Sequence, residues 1–466
     1  MKPFEADDKQ YVKMTTGSIS KLIISLSIPT IISMLVTSIY NMADTFFVSK
    51  LGTSATGAVG IVFSVMALIQ AIGFMLGSGS GNIVSRLLGR QDEEGADQVA
   101  STGFFLALAL GALLMIFGLL FLNPFMRLLG ATETILPYAR DYAQYILFGA
   151  PIMCASFVLN NLLRGQGRAS LAMIGIAFGG VLNIILDPVL IFTFEMGISG
   201  AAVATLISQV ISFLILLYFF MAGKSIVRLS IRKISYEFHI CKSILSNGFP
   251  SLCRQGLASL ATIALNINAG FYGDAAVAAM SVVSRIFMLI VSVMIGFGQG
   301  FMPVVGFNYG AGKYRRVKEA FWFSVKTGLV FMTFLSLCGF LFSEQLIGLF
   351  RKDDAQVMAI GVLACRLQCI VLPLQPVMVL SNMLFQSIGK SWQASLLSSA
   401  RQGIYFLPLI IILPRIFGVL GVQMTQPIAD LLTFITCFPF LIKLFKELNE
   451  KELYQNHIKD CSATDT

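Results

Sequence analysis

Long apolar runs alternate with polar connections along almost the whole 466-residue chain. A membrane-spanning helix needs about 20 predominantly apolar residues, and twelve runs meet that length. Their approximate bounds are 20–48, 55–82, 98–123, 138–162, 170–194, 200–222, 244–272, 277–305, 320–343, 361–387, 394–414 and 418–442. The pattern predicts an all-α membrane protein with twelve transmembrane helices. The longest polar connection, residues 223–243, divides them into two sets of six.

Glycine and proline recur in the two halves at a nearly constant offset of 221 or 222 residues. The pairs include Pro29 and Pro250, Gly77 and Gly298, Gly79 and Gly300, Pro151 and Pro373, and Asn160 and Asn382. This repeat predicts two homologous six-helix bundles, an N-lobe at 1–222 and a C-lobe at 244–466, joined by a loop at 223–243. Doubling of this kind is typical of secondary transporters, with substrate sites between the repeats.

Composition agrees with a polytopic membrane protein, because only 12% of residues are charged against about 25% in soluble domains. Residues 1–21 are polar and charged, so we expect no cleaved signal peptide. Of 33 Lys and Arg residues, 22, including Lys2, fall on the side of the chain termini and 6, including Lys352, on the other. This asymmetry predicts that both termini are cytoplasmic. The net charge of +9 is then a topology signal, and we expect no nucleic-acid partner.

Motifs for catalysis are missing from the sequence. The eight cysteines form no CxxC pair and fall mostly in apolar runs, while the two histidines lie in polar segments. The glycine-rich run at 73–81 lacks the lysine of a phosphate loop and is better explained by close helix packing. We therefore expect neither an enzyme nor an organic cofactor.

Acidic residues inside the apolar runs are the candidate functional groups. Asp44 lies in the first run, and no Lys or Arg occurs between Lys21 and Lys50. A charge in such a position costs roughly 2.5–3.5 kcal/mol on insertion scales, which a cavity, a partner or a bound ion can offset. The alternative is that Asp44 lies near enough to the membrane surface to be solvated. Tyr40, one helical turn earlier, is a plausible polar neighbour.

A second acid, Asp187, follows Asn183 by four residues, so both side chains share a helix face. Pro188 frees a backbone carbonyl about one turn earlier. These hard oxygen ligands suit Na⁺ or a proton. The alternative is that both side chains cap or bond a neighbouring helix. If Asp44 and Asp187 face one chamber, they would bind a proton or cation readily, as a coupled transporter requires.

Other candidates are less specific. Asp430, in the twelfth run, either forms a structural ion pair with a residue such as Arg401 or has a functional role. Met34, Met42 and Met294 are flexible apolar side chains that suit an adaptable binding surface.

The motifs resemble those of multidrug and toxic compound extrusion (MATE) transporters, from about Ser18 to Leu444. The first-helix pattern P-x14-D-x7-G, NNLLRGQGR at 160–168 and N-x3-D-P ending at Pro188 carry the resemblance, together with the doubled architecture. The chain is most similar to the bacterial branch that includes the DinF-like and MepA-like proteins, so the resemblance implies a multi-pass protein of a bacterial plasma membrane.

The resemblance implies a V-shaped pair of bundles that exports cationic, amphipathic compounds in exchange for H⁺ or Na⁺. It implies a cation site formed by Asp44, Asn183, Asp187 and Thr205, with Tyr142 and Asn160 in the surrounding network, and a bend at Pro29. The seventh and tenth runs contain no Asp or Glu, so a second acidic site in the C-lobe is not expected. Asn266 and Asn268 remain candidates for substrate contact from that side.

Two alternative functions, a flippase and a passive channel, differ from a coupled transporter in the charge of the cavity or in the absence of coupling to an ion gradient. A lipid-linked oligosaccharide flippase of the same superfamily would need a cationic cavity, whereas the acids found here favour cationic cargo. A passive channel is disfavoured by the repeat and by the acids. We expect a monomer embedded in the bilayer, with small drugs as its partners.

Overall fold

The computed structural model describes residues 5–235, 237–351 and 354–464. Lys2 and Lys352, which entered the charge count, lie outside the described residues. The described chain is almost entirely helical and contains no β-strand, which confirms the predicted all-α class.

Helices α1 to α8 form the first half of the chain, and α9 to α17 form the second. The first half has α1 (Glu5–Thr16), α2 (Ile19–Ser49), α3 (Thr53–Gly89), α4 (Glu93–Leu120), α5 (Leu122–Leu128), α6 (Leu136–Gly165), α7 (Ala169–Pro188) and α8 (Gly197–Met221). The second half has α9 (Phe238–Gly270), α10 (Asp274–Gly310), α11 (Tyr314–Leu341), α12 (Ser343–Arg351), α13 (Ala355–Val371), α14 (Gln375–Ser387), α15 (Ser391–Ser399), α16 (Phe406–Phe417) and α17 (Val419–Thr464).

Local breaks in these helices follow the sequence. A π-helix, Val189–Thr193, continues α7 directly after Pro188, and a 3₁₀ turn at Leu372–Leu374 joins α13 to α14. A second π-helix, Ala400–Tyr405, joins α15 to α16. A short 3₁₀ turn, Ile231–Lys233, lies in the connection between the halves. α2 continues through Pro29 as one helix.

Eleven helical segments of the described chain are long and apolar enough to cross a membrane. The remaining predicted span, 244–272, corresponds to α9, which has 33 residues but also carries Arg254, Gln255, Asn266 and Asn268. α9 packs against α3 and α15. We assign it as the seventh of twelve spans, a less apolar helix that is partly enclosed by its neighbours.

The two halves contact each other through a pair of equivalent helix crossings. α2 packs on α10, and α9 packs on α3. A Cβ atom added at Gly79 would lie 2.2 Å from the Ile244 carbonyl oxygen, and one added at Gly300 would lie 2.4 Å from the Ser27 hydroxyl. Backbones can approach this closely only where the side chain is absent. The glycine-rich run at 73–81 therefore serves packing, as predicted.

Hydrogen bonds between the halves lie on the side of the membrane that carries the chain termini. Thr30 Oγ1 donates to the Gly296 carbonyl over 2.6 Å, and Asn308 Nδ2 donates to the Met14 carbonyl over 3.0 Å. The pair of hydroxyls at Ser38 and Ser292, 3.1 Å apart, lies about midway along its two helices. In the described residues, the halves are thus joined from the ends of α2 and α10 on the terminal side to about the middle of these two helices.

Candidate functional site

Asp44 is buried inside the first bundle, between α2 and α6. Asp44 is only 9% exposed. The Tyr142 hydroxyl, which is fully buried, donates a hydrogen bond to Asp44 Oδ2 over 3.4 Å. The carboxyl group therefore faces other helices of its own bundle, and the alternative of a solvated acid at the membrane surface does not describe this structure.

Asp187 is held by Asn183, the residue that the spacing predicted, and Thr205, which the resemblance implied, lies beside Asn183. Asn183 Nδ2 donates to Asp187 Oδ1 over 3.2 Å and to Thr205 Oγ1 over 3.3 Å. Tyr142 also lies close to Thr205, and Asp44 lies close to Asp187. Four helices, α2, α6, α7 and α8, thus bring these five side chains into one cluster, which we call the acidic cluster.

Three oxygen atoms in the acidic cluster are buried without a hydrogen-bond partner in the described residues: Asp44 Oδ1, Asn183 Oδ1 and Asp187 Oδ2. Neither acid forms an ion pair with a described Lys or Arg. Buried polar atoms are normally hydrogen-bonded, so these oxygens are available to a small cation, and either carboxylate oxygen is available to a proton. The described residues contain no cluster of three or more His, Cys, Asp or Glu side chains, and the mixed oxygen donors here suit a hard cation.

Local sequence explains how α2 and α7 come close enough to form the cluster. A Cβ atom added at Gly180 would lie 2.6 Å from Val36 Cγ1 and 3.2 Å from the Tyr40 ring. Gly180 lies one turn before Asn183, so its missing side chain leaves room for α2. The π-helix after Pro188 then widens the backbone directly beyond Asp187.

Gln209 was not identified from the sequence as a neighbour of this site. It lies beside Tyr40, which in turn lies close to Asp44. Gln209 follows Thr205 by four residues and so shares its helix face. The same spacing rule that paired Asn183 with Asp187 would have found it.

Asn160 does not belong to the acidic cluster. It lies 18 residues from Tyr142 on α6, a distance of about 27 Å at 1.5 Å per residue. Its Nδ2 donates to the Ala172 carbonyl over 2.9 Å, and Asn382 donates equivalently to the Ala394 carbonyl over 2.6 Å. The structure thus separates Asn160 from the predicted network and shows it joining two consecutive helices, as its repeat partner does.

The predicted substrate contacts differ widely in their burial. Tyr40 is buried beside the acidic cluster, Met294 is 1% exposed and Met42 is 42% exposed. Met34 and Asn268 are half-buried and Asn266 is exposed. A small cavity does lie between the two halves, but it is lined by other residues, including Arg164 and Arg254.

Asp430 is a structural contrast to the two acids of the cluster. Arg401 Nε donates to Asp430 Oδ1 over 2.8 Å, and the side-chain amides of Gln368 and Gln426 donate to its two oxygens at 3.0 and 2.7 Å. Both oxygens are therefore satisfied by protein groups. This geometry supports the interpretation of a structural ion pair.

Comparisons with known proteins give consistent matches over nearly the whole chain. The family model MatE matches residues 29–189 and again residues 250–412. The Multidrug export protein MepA of Staphylococcus saprophyticus is 26% identical over 424 residues, which cover 91% of this chain and 93% of that protein.

Solved structures agree with the sequence matches. An outward-facing multidrug resistance MATE family transporter of the MOP superfamily is 31% identical, with a TM-score of 0.89 over 94% of this chain and 98% of that one. A MOP superfamily transporter from Pyrococcus furiosus Vc1 is also 31% identical, with a TM-score of 0.88 over the same shares.

Proposed function

Because the chain belongs to the MatE family of membrane transporters, we propose that it is a multidrug efflux antiporter, which exports cationic, amphipathic compounds in exchange for H⁺ or Na⁺. The name of its staphylococcal relative, a multidrug export protein, supports this activity. The twelve helical spans supply the bilayer-embedded scaffold. No step of the proposed cycle needs an organic cofactor.

The observation that carries the proposal is the acidic cluster with its three unpartnered oxygens. Asp44 and Asp187 supply the negative charge, while Asn183 and Thr205 supply neutral oxygen donors. Tyr142 holds one oxygen of Asp44 and leaves the other free. Binding of a proton or Na⁺ would remove the repulsion between the acids, and this change in free energy can favour one conformation of the transporter.

Asp44 shares α2 with the contacts that join the two halves. Pro29 is about 22 Å from Asp44 along the helix, at 1.5 Å per residue, and it lies between Ser27 and Thr30, which both donate to carbonyls of α10. Proline removes a hydrogen bond from a helix and favours a bend at that point. We propose that cation binding at Asp44 changes the bend of α2 at Pro29 and so weakens its contacts with α10.

The orientation proposed from Lys and Arg places the joined side of the two halves at the cytoplasm. The structure would then represent a form that is closed toward the cytoplasm.

Thiol labelling tests this orientation. In a cysteine-free background, a thiol reagent that does not cross membranes should label Lys224→Cys from the cytoplasmic side only. It should label Gly130→Cys from the outer side only, and the reverse pattern would invert the topology.

One observation favours the alternative of a flippase for lipid-linked anionic sugars, since the cavity between the halves contains arginines and no acid. That cavity, about 30 Å³, is far smaller than the roughly 300–1,000 Å³ of typical ligand pockets. The acidic cluster also has no evident role in moving an anionic lipid. The antiporter therefore explains more of the structure.

The proposal is tested with purified full-length protein in proteoliposomes. Transport of a cationic dye should be driven by an imposed proton gradient or sodium gradient, each applied alone. A passive channel would only equilibrate the dye and would show no response of accumulation to either gradient. Failure of both gradients to drive any cationic dye would refute the antiporter, and movement of a labelled lipid-linked sugar would favour the flippase.

A further inference from the structure

A cavity lies between the two halves, on the joined side of the molecule, and its charges are not balanced. Helices α3 and α6 form one wall, and α9, α10 and α14 form the other. Its lining includes two charged side chains, Arg164 and Arg254, and the neutral polar side chains of Asn82, Ser251, Gln299 and Gln386. No Asp or Glu lines it.

Arg164 comes from the first half and is 4% exposed. Its guanidinium donates to Gln299 Oε1 in the second half and to Asn160 Oδ1 in its own helix, while its Nε has no partner in the described residues. Both partners are neutral amides. The positive charge of Arg164 is therefore hydrogen-bonded but not neutralised.

Arg254 comes from the second half and lines the same cavity. No hydrogen bond or ion pair involves its guanidinium among the described residues. Asn82, which is 7% exposed, also has an unpartnered donor, Nδ2, at this cavity. Two guanidiniums and one amide thus leave donors unused around this cavity, and a positive charge that is removed from water without a counter-charge is costly.

We propose that this cavity binds a small inorganic anion, with chloride as the physiological ion of fitting size. The cavity volume of about 30 Å³ exceeds the roughly 10–15 Å³ that a water molecule needs and excludes a drug-sized ligand. An anion there accepts from Arg164 and Arg254 together. It therefore neutralises both charges and bridges the two halves, independently of which compound the protein exports.

The bridge has a consequence for the equilibrium between conformations. The two arginines belong to different halves, so the anion can contact both only while the halves are joined here. An ion that binds one state preferentially stabilises that state by mass action. Chloride should therefore favour the form in which the joined side is closed.

The test measures thermal unfolding of the full-length protein in detergent at constant ionic strength, with chloride replaced stepwise by gluconate, which is too large for the cavity. We expect the unfolding temperature of the wild type to rise with chloride and to saturate. Arg254→Gln should lose this chloride-dependent rise. It should also remain folded in gluconate, because it removes one of two uncompensated charges.

The matched control is Arg366→Gln, since Arg366 is already paired with Glu344 over 3.0 Å and lies away from the cavity. It should keep the chloride-dependent rise. A wild type that is indifferent to chloride, or an Arg254→Gln variant that responds as the wild type does, would overturn the proposal. Crystals grown in bromide supply a second readout, since an anomalous peak should lie between Arg164 and Arg254, and its absence would equally refute the site.

Discussion

The Tyr142 hydroxyl donates to Asp44 Oδ2 over 3.4 Å and leaves Asp44 Oδ1 buried without a partner. Tyr142 thus fixes the carboxyl group while one oxygen stays available to a cation. Cation binding at such a site depends on the negative charge of Asp44, and a neutral side chain of the same shape is not sufficient.

We expect Asp44→Asn to abolish coupled efflux and to leave the protein folded and inserted. The amide oxygen can still accept from Tyr142, so the helix packing is kept while the charge is lost. Dye efflux from cells measures the activity, and the amount of monodisperse protein extracted from membranes is the control. Wild-type resistance in this variant would remove the basis for a coupling site at Asp44.

Asp187→Asn should impair transport as well, because Asp187 supplies the second charge of the acidic cluster. The measurement is dye accumulation in proteoliposomes under separate proton and sodium gradients. Glu344→Gln is a suitable control, since that acid is solvent-exposed and pairs with Arg366. A fully active Asp187→Asn protein would exclude this residue as an obligatory coupling group.

Asn160→Ala should destabilise the protein without changing which ion drives transport. The variant removes the hydrogen bond to the Ala172 carbonyl and the Oδ1 acceptor of Arg164, and a typical hydrogen bond contributes about 0.5–1.5 kcal/mol. Thermal unfolding measures the loss, and Asn382→Ala, its repeat equivalent, should show a similar one. Retained stability together with an altered ion dependence would instead return Asn160 to the coupling network.

Gly248→Val should prevent the two halves from joining. A Cβ atom at this position would lie 1.8 Å from the Met75 carbonyl oxygen, and backbone cannot yield as a flexible side chain can. We expect loss of transport and increased thiol labelling of Ser251→Cys from the terminal side. Gly256→Val, on the same helix but with open space around it, should behave like the wild type; equal effects of the two variants would contradict this reasoning.

Asp430→Leu should lower stability more than the double variant Asp430→Leu, Arg401→Met. Removing one partner of a buried ion pair commonly costs about 3–5 kcal/mol, whereas an apolar replacement of both is often nearly neutral. Thermal unfolding of the single and double variants measures the difference. Dye efflux of the stable double variant then tests the structural interpretation, which loss of activity in a fully folded protein would contradict.

Periodicity and apolar length were enough to predict the helical class and most of the spans, because the bilayer requires long apolar helices. They were less informative for α9, whose Arg254, Asn266 and Asn268 reduce its apolar character. A helix with such residues depends on its neighbours, and those contacts are set by the tertiary fold rather than by its own sequence.

The acidic cluster was predictable only in the part that depends on spacing within one helix and on the cost of burying a charge. Asn183 and Asp187 share a helix face at a fixed spacing, and the cost of burying Asp44 made that acid conspicuous. Spacing within one helix does not say which residues of other helices come near. Asn160 was therefore assigned to the cluster through the family resemblance although it lies far along α6, and the arginines between the halves had no local pattern to indicate that they share a cavity.

The crossings at Gly79 and Gly300 place main chain directly against a neighbouring helix. Ordinary helix interfaces interlock their side chains, which must be withdrawn from one another before the helices can part. Few such interlocked groups exist at these two points, so little repacking is needed when the crossings separate. We expect the barrier to opening to arise chiefly from the hydrogen bonds between the two halves. The helix surfaces at the two crossings should separate and pack again at little additional cost in free energy.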